Sequence, residues 1–281
     1  MANLPRFIGT DIDGTAFSRE TQRMLPHTFD VLGKCVDMGS VLVPVTGRVL
    51  SMVPVEKFPK VRYVISSNGA YIYDVLEQRA VRARYIERDD IIKFWTHIKP
   101  YVREYRLGME IFENGVLVIE RELYENLSDY ADVLPNFHYA QIEKGSAKIV
   151  ESYDIYLEEE GNEIIKVNFP GKTVKKFPAI KDIILEADIL KMTSDGLNME
   201  CGPKGCNKGE AIWWLCDYLN IPRESTMAFG DGNNDLEMLL AVHYGVAMGN
   251  ALDSVKEAAP YTTIGNEENG IAHFIETHFE W

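Results

Sequence analysis

With 281 residues, 46% of them hydrophobic and 26% charged, the chain is long enough for one large domain or two modest ones, and its composition is that of an ordinary globular protein. A formal net charge of -14 argues against non-specific binding to nucleic acid or an anionic membrane, which needs clustered lysine and arginine, so neither is expected as a partner. Cys35, Cys201, Cys206 and Cys216 form no C-x-x-C pair, no apolar run approaches the roughly 18–20 residues of a spanning helix, and MANLPRFIGTDIDG has no basic region followed by a long apolar core, so the expected compartment is the reducing cytoplasm.

RFIGT opens as a short apolar strand. PHTFDVLGKCVDMG then places Phe29, Leu32, Cys35 and Val36 at helical spacing, with Pro26 in its first turn and Gly39 near its end. VLVPVT and RYVISS (62–67) read as second and third buried strands. Short continuous β-branched runs alternating with helices mark a parallel sheet covered on both faces. From 83 to 188 the alternation stops: DDIIKFWTHIKPYVREY and TVKKFPAIKDIILEAD read as longer helices, with strand-like GVLVIERELY and DIYLEEEGNEIIKVNF between them, the pattern of an α+β unit. Glu158–Glu160 within it read as a solvated turn.

The earlier grammar resumes with NKGEAIWWLCDYLN, which carries an Asn207…Glu210 capping-box pattern and an apolar stripe through Ala211, Leu215, Tyr218 and Leu219. TMAFGD, YGVAM and YTTI follow as strands, interleaved with DLEMLLAVH, ALDSVKEAA and GIAHFIETHF as helices. The expected fold class is therefore α/β: a doubly wound, Rossmann-like parallel sheet from residues 1–82 and 189–281, with an α+β insertion at 83–188.

In open α/β sheets ligands collect at the carboxyl ends of the strands. Those ends hold Asp11, Asp13, Thr46, Asn68 and Asp231, with Lys208 at the start of a helix. Asp11 and Asp13 would repel each other in one small volume, which raises a pKa or calls for a cation, and Mg2+ needs only one or two carboxylates beside its waters. A capping or turn pair ahead of Gly14 also accounts for that stretch. GDGNND adds Asp231 and Asp235 on a glycine-rich loop entering a helix; the pair suits the rest of a magnesium site, and alone it also reads as an Asx-rich turn. Thr46, in VPVTGR, offers a hydroxyl either to a phosphate or to a helix start near Val49. Arg48 reads as an anion contact or a surface charge, and Lys208 as a point charge suited to phosphoryl oxygens, unfavourably placed against its helix dipole. The sequence has no G-x-S-x-G elbow, Walker loop or H-E-x-x-H, and Cys201 and Cys206 flank a Gly/Pro loop without the four close ligands of structural zinc.

DIDGT, VTGR, SSNGA, GCNKG and GDGNND occur in the order and spacing of the haloacid dehalogenase superfamily of phosphohydrolases. The chain resembles its Cof-type subfamily, whose α+β (class IIB) cap is inserted between the second and third motifs, and NEENGIAHFI resembles that subfamily's C-terminal segment. Ala16 departs from the pattern, which usually has a larger apolar residue there, and the expected effect is on packing rather than chemistry. The resemblance implies Asp11 as a nucleophile forming an aspartyl-phosphate, Asp13 as general acid and then base, and Thr46 and Lys208 as holders of the phosphoryl group. It implies Mg2+ held by Asp11, the carbonyl of Asp13 and Asp231, with Asp235 as an indirect or occasional ligand. Asn234 would contact the substrate phosphate, with Gly47, Arg48 and Asn68 lining the same mouth. The implied substrate is a small phosphorylated metabolite, a sugar phosphate first and a cofactor such as pyridoxal phosphate or flavin mononucleotide second. The cap would select it, and Tyr153, Tyr156 and Glu163 are cap residues open to that role. A sugar phosphomutase shares this core and a similar cap. A non-enzymatic phosphoacceptor switch also pairs acids with a threonine and a lysine, though it needs neither the insertion nor the second acid. A monomer or weak homodimer is expected.

Overall fold

The computed structural model describes residues 3–134, 142, 145–194 and 198–280. The chain forms two compact units, Met1–Ala83 with Cys206–Trp281, and Arg84–Gly205. The first unit begins with β1 (Phe7–Thr10), all four residues buried, and returns through the helix Pro26–Asp37 to β2 (Val41–Pro44), which pairs parallel with it. The buried helix face is Thr28, Val31, Leu32 and Cys35, the i, i+3, i+4, i+7 set. Phe29, expected on that face, is 39% exposed, one step of helical rotation away from Thr28.

β3 (Tyr63–Ser66) meets the main sheet through one parallel bridge, Val45 to Ile65, backed by the Thr46 N–H donating to the Ile65 carbonyl at 2.9 Å. Its other edge pairs antiparallel with β4 (Tyr71–Asp74), which pairs with β5 (Arg79–Ala83).

The chain then builds the second unit. The helix Arg88–Glu104 is followed by β6 (Glu110–Glu113), β7 (Val116–Glu120), β8 (Lys148–Val150), β9 (Ile164–Phe169), β10 (Lys191–Ser194) and β11 (Met199–Gly202), arranged in the order β10-β11-β9-β6-β7-β8. Only β7 and β8 run parallel. This corrects the expected boundary at 188: β10 and β11 form an antiparallel hairpin that adds to β9 through Met199–Phe169, so residues 189–205 belong to the insertion. The long helix expected over TVKKFPAIKDIILEAD is two helices, Gly171–Lys176 and Ile180–Ala187, broken around Pro178, whose ring removes a donor and fixes φ. Part of DIYLEEEGNEIIKVNF is likewise a short helix, Tyr153–Tyr156, and only Ile164–Phe169 is strand.

One face of this sheet (Ile111, Val118, Val167, Phe169, Met199) packs with Ile91, Phe94, Trp95 and Ile98 of the first helix into a hydrophobic core. Tyr153 and Tyr156 are part of that core, Tyr153 donating its hydroxyl to the Val118 carbonyl at 3.0 Å, which corrects the expectation of them as substrate contacts. The opposite register row, Thr193–Glu200–Asn168–Glu110, runs across four strands and is polar, with Asn168 donating to Glu110 at 2.7 Å and Lys166 paired with Glu200.

The first unit resumes with the helix Lys208–Tyr218, then β12 (Thr226–Gly230), the helix Leu236–Ala241, β13 (Tyr244–Ala247), the helix Asp253–Ala258, β14 (Tyr261–Thr262) and the helix Gly270–His278. The five-stranded sheet, order β14-β13-β12-β1-β2, is parallel throughout. β1 leads to β2 on one side and has β12 on the other, so the strand order reverses there and a crevice opens at the carboxyl ends of β1 and β12.

Candidate active site

β1 delivers Asp11 into that crevice, its N–H donating to the Phe229 carbonyl at 3.0 Å. The chain then folds back at once: the Ala16 N–H reaches the Asp11 carbonyl at 3.2 Å, and the Phe17 N–H the Ile12 carbonyl at 2.8 Å. Gly14 turns this loop with φ +89°, a conformation that other residues adopt only under strain. β12 ends at Gly230 and delivers Asp231 beside it. Asp235 shapes the loop that follows, its Oδ2 accepting the N–H groups of Asp231 and Gly232, both at 2.9 Å.

Lys208 joins the two loops. It is the first residue of its helix and wholly buried, and its Nζ donates to Asp11 Oδ1 and Asp235 Oδ1, each at 2.6 Å. Asn207 sets that helix start by accepting the Glu210 N–H at 2.8 Å. The other half of the expected capping box is absent, because Glu210 forms a two-point ion pair with Arg82 at 2.6 and 2.9 Å. The helix buries Lys208, Ala211, Ile212, Leu215 and Cys216, while Tyr218, expected in the stripe, is exposed.

Asp231 is held at both oxygens: Oδ1 accepts the Thr15 hydroxyl at 2.7 Å and Oδ2 the Arg19 guanidinium at 2.9 Å. Asp11, Asp231 and Asp235 each offer an oxygen within 4.8 Å of the others, and all three side chains are buried. Burial dominates their electrostatics. It pushes the Asp11 carboxyl up to about 8, against the pull of Lys208 and with the help of Asp235 and Asp231. Burial and Asp235 also raise Asp231, against Thr15 and Arg19. Burial opposes the charge on Lys208, but Asp11 and Asp235 outweigh it and hold the ammonium above its usual range. Three buried carboxylates with two protein cations form an all-oxygen donor set, which fits a hard divalent cation such as Mg2+. Cys201 and Cys206 are buried separately, and among the described residues no other group of acids, histidines or cysteines is gathered in this way.

Asp13 is not among the three clustered carboxylates. Its carboxylate is clasped by Arg48, Nε to Oδ2 at 2.7 Å and Nη2 to Oδ1 at 2.5 Å, and it is 32% exposed. Arg48 also donates to the Gln22 side-chain oxygen at 2.7 Å and the Met52 carbonyl at 3.2 Å. Thr46 is buried, and its hydroxyl accepts the Arg48 N–H at 3.1 Å; the short helix at Leu50–Met52 takes no side-chain cap from it. The Thr46 carbonyl accepts the Asn68 N–H at 3.0 Å and the Arg48 carbonyl the Ser67 N–H at 2.9 Å, so Thr46, Gly47, Arg48 and Asn68 form one laced pair of loops. Asn234 donates to Asn68 at 3.4 Å, tying those loops to GDGNND. Thr15, Arg19 and Gln22 were not singled out from the sequence. They sit in an irregular turn whose side-chain directions follow no period.

No helix among the described residues is long and apolar enough to cross a membrane. The family model for haloacid dehalogenase-like hydrolases matches residues 8–275. The chain is 30% identical to the phosphatase YwpJ of Bacillus subtilis, over 96% of this chain and 99% of that protein. It is 26% identical to the 5-amino-6-(5-phospho-D-ribitylamino)uracil phosphatase YitU of the same organism, over 99% of each. A solved HAD subclass IIB sugar phosphatase superposes with a TM-score of 0.76 at 21% identity, covering 97% of this chain and 98% of that one, and so shares the fold. The crevice between β1 and β12, the ordered motifs that line it and a family match running almost end to end agree on one assignment: this chain belongs to the haloacid dehalogenase-like hydrolases, as a Cof-type phosphatase, a phosphoric monoester hydrolase.

Proposed function

We propose that the protein is a Mg2+-dependent phosphatase of small phosphorylated metabolites that works through an aspartyl-phosphate on Asp11. The observation that carries this reading is the buried Lys208 bridging Asp11 and Asp235 beside a third carboxylate, Asp231. Such a lysine balances a nucleophilic carboxylate and offers charge to the phosphoryl oxygens that approach it.

An Asp11 oxygen attacks phosphorus in line with the ester oxygen; the P–O bond to the leaving group breaks, and Asp13 gives that oxygen its proton. Water then attacks the acyl phosphate, Asp13 takes its proton, and inorganic phosphate leaves a free Asp11. Lys208, the Thr46 hydroxyl and Asn234 hold the equatorial phosphoryl oxygens, and Gly47, Arg48 and Asn68 line the mouth. Since Arg48 occupies both Asp13 oxygens, proton delivery requires that fork to open. Asp11, Asp231, the Asp13 carbonyl and, indirectly or as an occasional ligand, Asp235 would hold Mg2+, which supplies charge neutralisation for the phosphoryl group when bound.

The insertion selects the leaving group, a reading supported by its polar sheet row Thr193–Glu200–Asn168–Glu110, of which the last three are buried. That row suits a leaving group rich in hydroxyl or amino donors, as in sugar or polyol phosphates. The printed substrate of YitU, a phosphorylated ribitylamino-uracil, supports the same class. Four free, buried cysteines support the reducing cytoplasm as the place of action, and the chain acts there as a monomer or weak homodimer.

Phosphate release from an aryl phosphate and from a panel of sugar phosphates tests the reading. Asp11→Asn removes activity with an unchanged far-UV circular dichroism spectrum. Asp13→Asn retains phosphoenzyme formation but slows turnover by about 10²–10⁴-fold. Chelation abolishes turnover and Mg2+ restores it. Full activity in Asp11→Asn overturns the nucleophile assignment, and isomerised sugar phosphate without free phosphate would make the enzyme a mutase.

A further inference from the structure

We propose that Arg19 is a resident counter-cation of Asp231 that a divalent cation must displace, so that this side chain sets the protein's metal affinity. The inference rests on the reading of Asp11, Asp231 and Asp235 as a metal site and goes beyond it.

Among the described residues two cations, Lys208 and Arg19, pair with the three carboxylates, and they are bound very differently. Lys208 is fully buried and makes two hydrogen bonds of 2.6 Å from the first residue of its helix, so it is a permanent part of the cluster. Arg19 has a side chain 49% exposed and makes a single hydrogen bond to the cluster, Nη2 to Asp231 Oδ2 at 2.9 Å. Only the second can withdraw into water at small cost.

The loop carrying Arg19 does not depend on that contact. The Ser18 N–H donates to the Arg23 carbonyl, the Gln22 N–H to the Ser18 carbonyl, both at 3.0 Å, and the Ser18 hydroxyl oxygen accepts the N–H groups of Glu20 and Thr21. The guanidinium can therefore swing away while the turn stays folded. The contact itself is built into the fold: a Cβ at Gly14 would lie 2.6 Å from both Arg19 Nε and Asp231 Oδ2, so only the bare glycine leaves room for the pair. Thr15, on the other oxygen, orients Asp231 without adding charge.

The charges say why the pair opposes a metal. With all three acids ionised, as a set of metal ligands must be, the carboxylates against Lys208 and Arg19 leave the cluster near one negative charge. A divalent cation entering with Arg19 in place would meet a positive neighbour on one of its own ligands. With Arg19 withdrawn, the carboxylates, Lys208 and the divalent cation sum to zero. Arg19 thus stabilises the metal-free cluster at the expense of the loaded one.

Titration calorimetry with Mg2+ and with Mn2+ on the chelator-stripped full chain tests this. Arg19→Ala and Arg19→Gln, the latter keeping a hydrogen-bond donor without the charge, should each bind about three- to ten-fold more tightly than the parent, and Arg19→Lys should stay near the parent. In chelator the neutral variants should melt below the parent, and their gain in melting temperature on adding metal should be larger. Equal or weaker affinity in both neutral variants, with Asp231→Asn unable to bind, would overturn the role of Arg19 while leaving the metal site standing. A parent protein that binds no divalent cation, or an Asp231→Asn variant that binds as the parent does, would overturn the metal reading and this proposal with it.

Discussion

Asp11 is a largely buried carboxylate, and its balance with Lys208 has a measurable consequence for the metal-free protein. Burial lifts its pKa from 3.8 to about 8 in the folded state, so between those values the folded chain binds a proton that the unfolded chain does not. Stability rises with pH only where the unfolded state binds more protons; here the folded state does, so this group makes stability fall as pH rises from about 4 to about 8. In chelator, calorimetric melting of the parent should therefore show a downward contribution across pH 5–8 that is missing from Asp11→Asn. Parallel curves for the two proteins would contradict it. At this scale the sequence was informative where chemistry is tied to a strand end: Asp11, Thr46, Asp231 and Asp235 follow β1, β2 and β12, and strand ends can be read from apolar runs. It was silent on Thr15, Arg19 and Gln22, which reach the acids only because a turn folds back on itself. It also did not reveal that Arg48 would grip Asp13, since ion pairs between loops depend on tertiary approach.

The helix that begins at Lys208 owes its position to the turn Ser67–Gly69. Ser67, Asn68 and Gly69 all have positive φ, 50°, 52° and 99°, and a methyl on Gly69 would overlap the backbone carbonyl of Asn207, the residue that caps that helix. Gly69→Ala thus strains its own backbone and pushes on the element that holds Lys208. We expect a loss of about 2–4 kcal/mol in stability, with phosphatase activity falling further than unfolding accounts for. Gly33→Ala is the counterpart: it lies inside the helix Pro26–Asp37, where a new Cβ meets only Pro59 at 3.6 Å, an ordinary contact. It should gain about 0.5–1 kcal/mol. Calorimetry on both variants checks the pair, and equal effects would show that the turn does not bear on the helix. Elements with strong periodicity, such as Arg88–Glu104, were legible in full. The break at Pro178 carried its signal in the sequence, but the flanking apolar pattern continued across it and masked it. Placing residues 189–205 with the first unit failed because short strands look alike whichever sheet they join, and the Met199–Phe169 pairing assigns KMTS and MECG to the insertion.

At the scale of the molecule, every candidate site residue, from Asp11 through Asn68 and from Lys208 to Asp235, lies in the discontinuous first unit, and the two units have separate hydrophobic cores. The discontinuity was legible because helix–strand alternation stops after the third strand and resumes at NKGEAIWWLCDYLN. On the proposed reading, catalysis belongs to the first unit and substrate choice to the insertion, and the two can be tested apart. In a variant where a Gly/Ser linker replaces 84–205, the carboxylate cluster and Lys208 keep all their partners, so divalent-cation binding should match that of the whole chain. Release of phosphate from a small aryl ester should persist, because the nucleophile and its charges remain. Discrimination among sugar phosphates should collapse, with kcat/KM values converging across a panel that the full chain ranks widely. A shortened protein that keeps the parent's ranking would move substrate choice into the first unit, to the loops of Arg48 and Asn68. One that loses metal binding, and turnover with it, would instead show that the insertion stabilises the carboxylate cluster, a coupling that the hydrogen bonds within the first unit give no reason to expect.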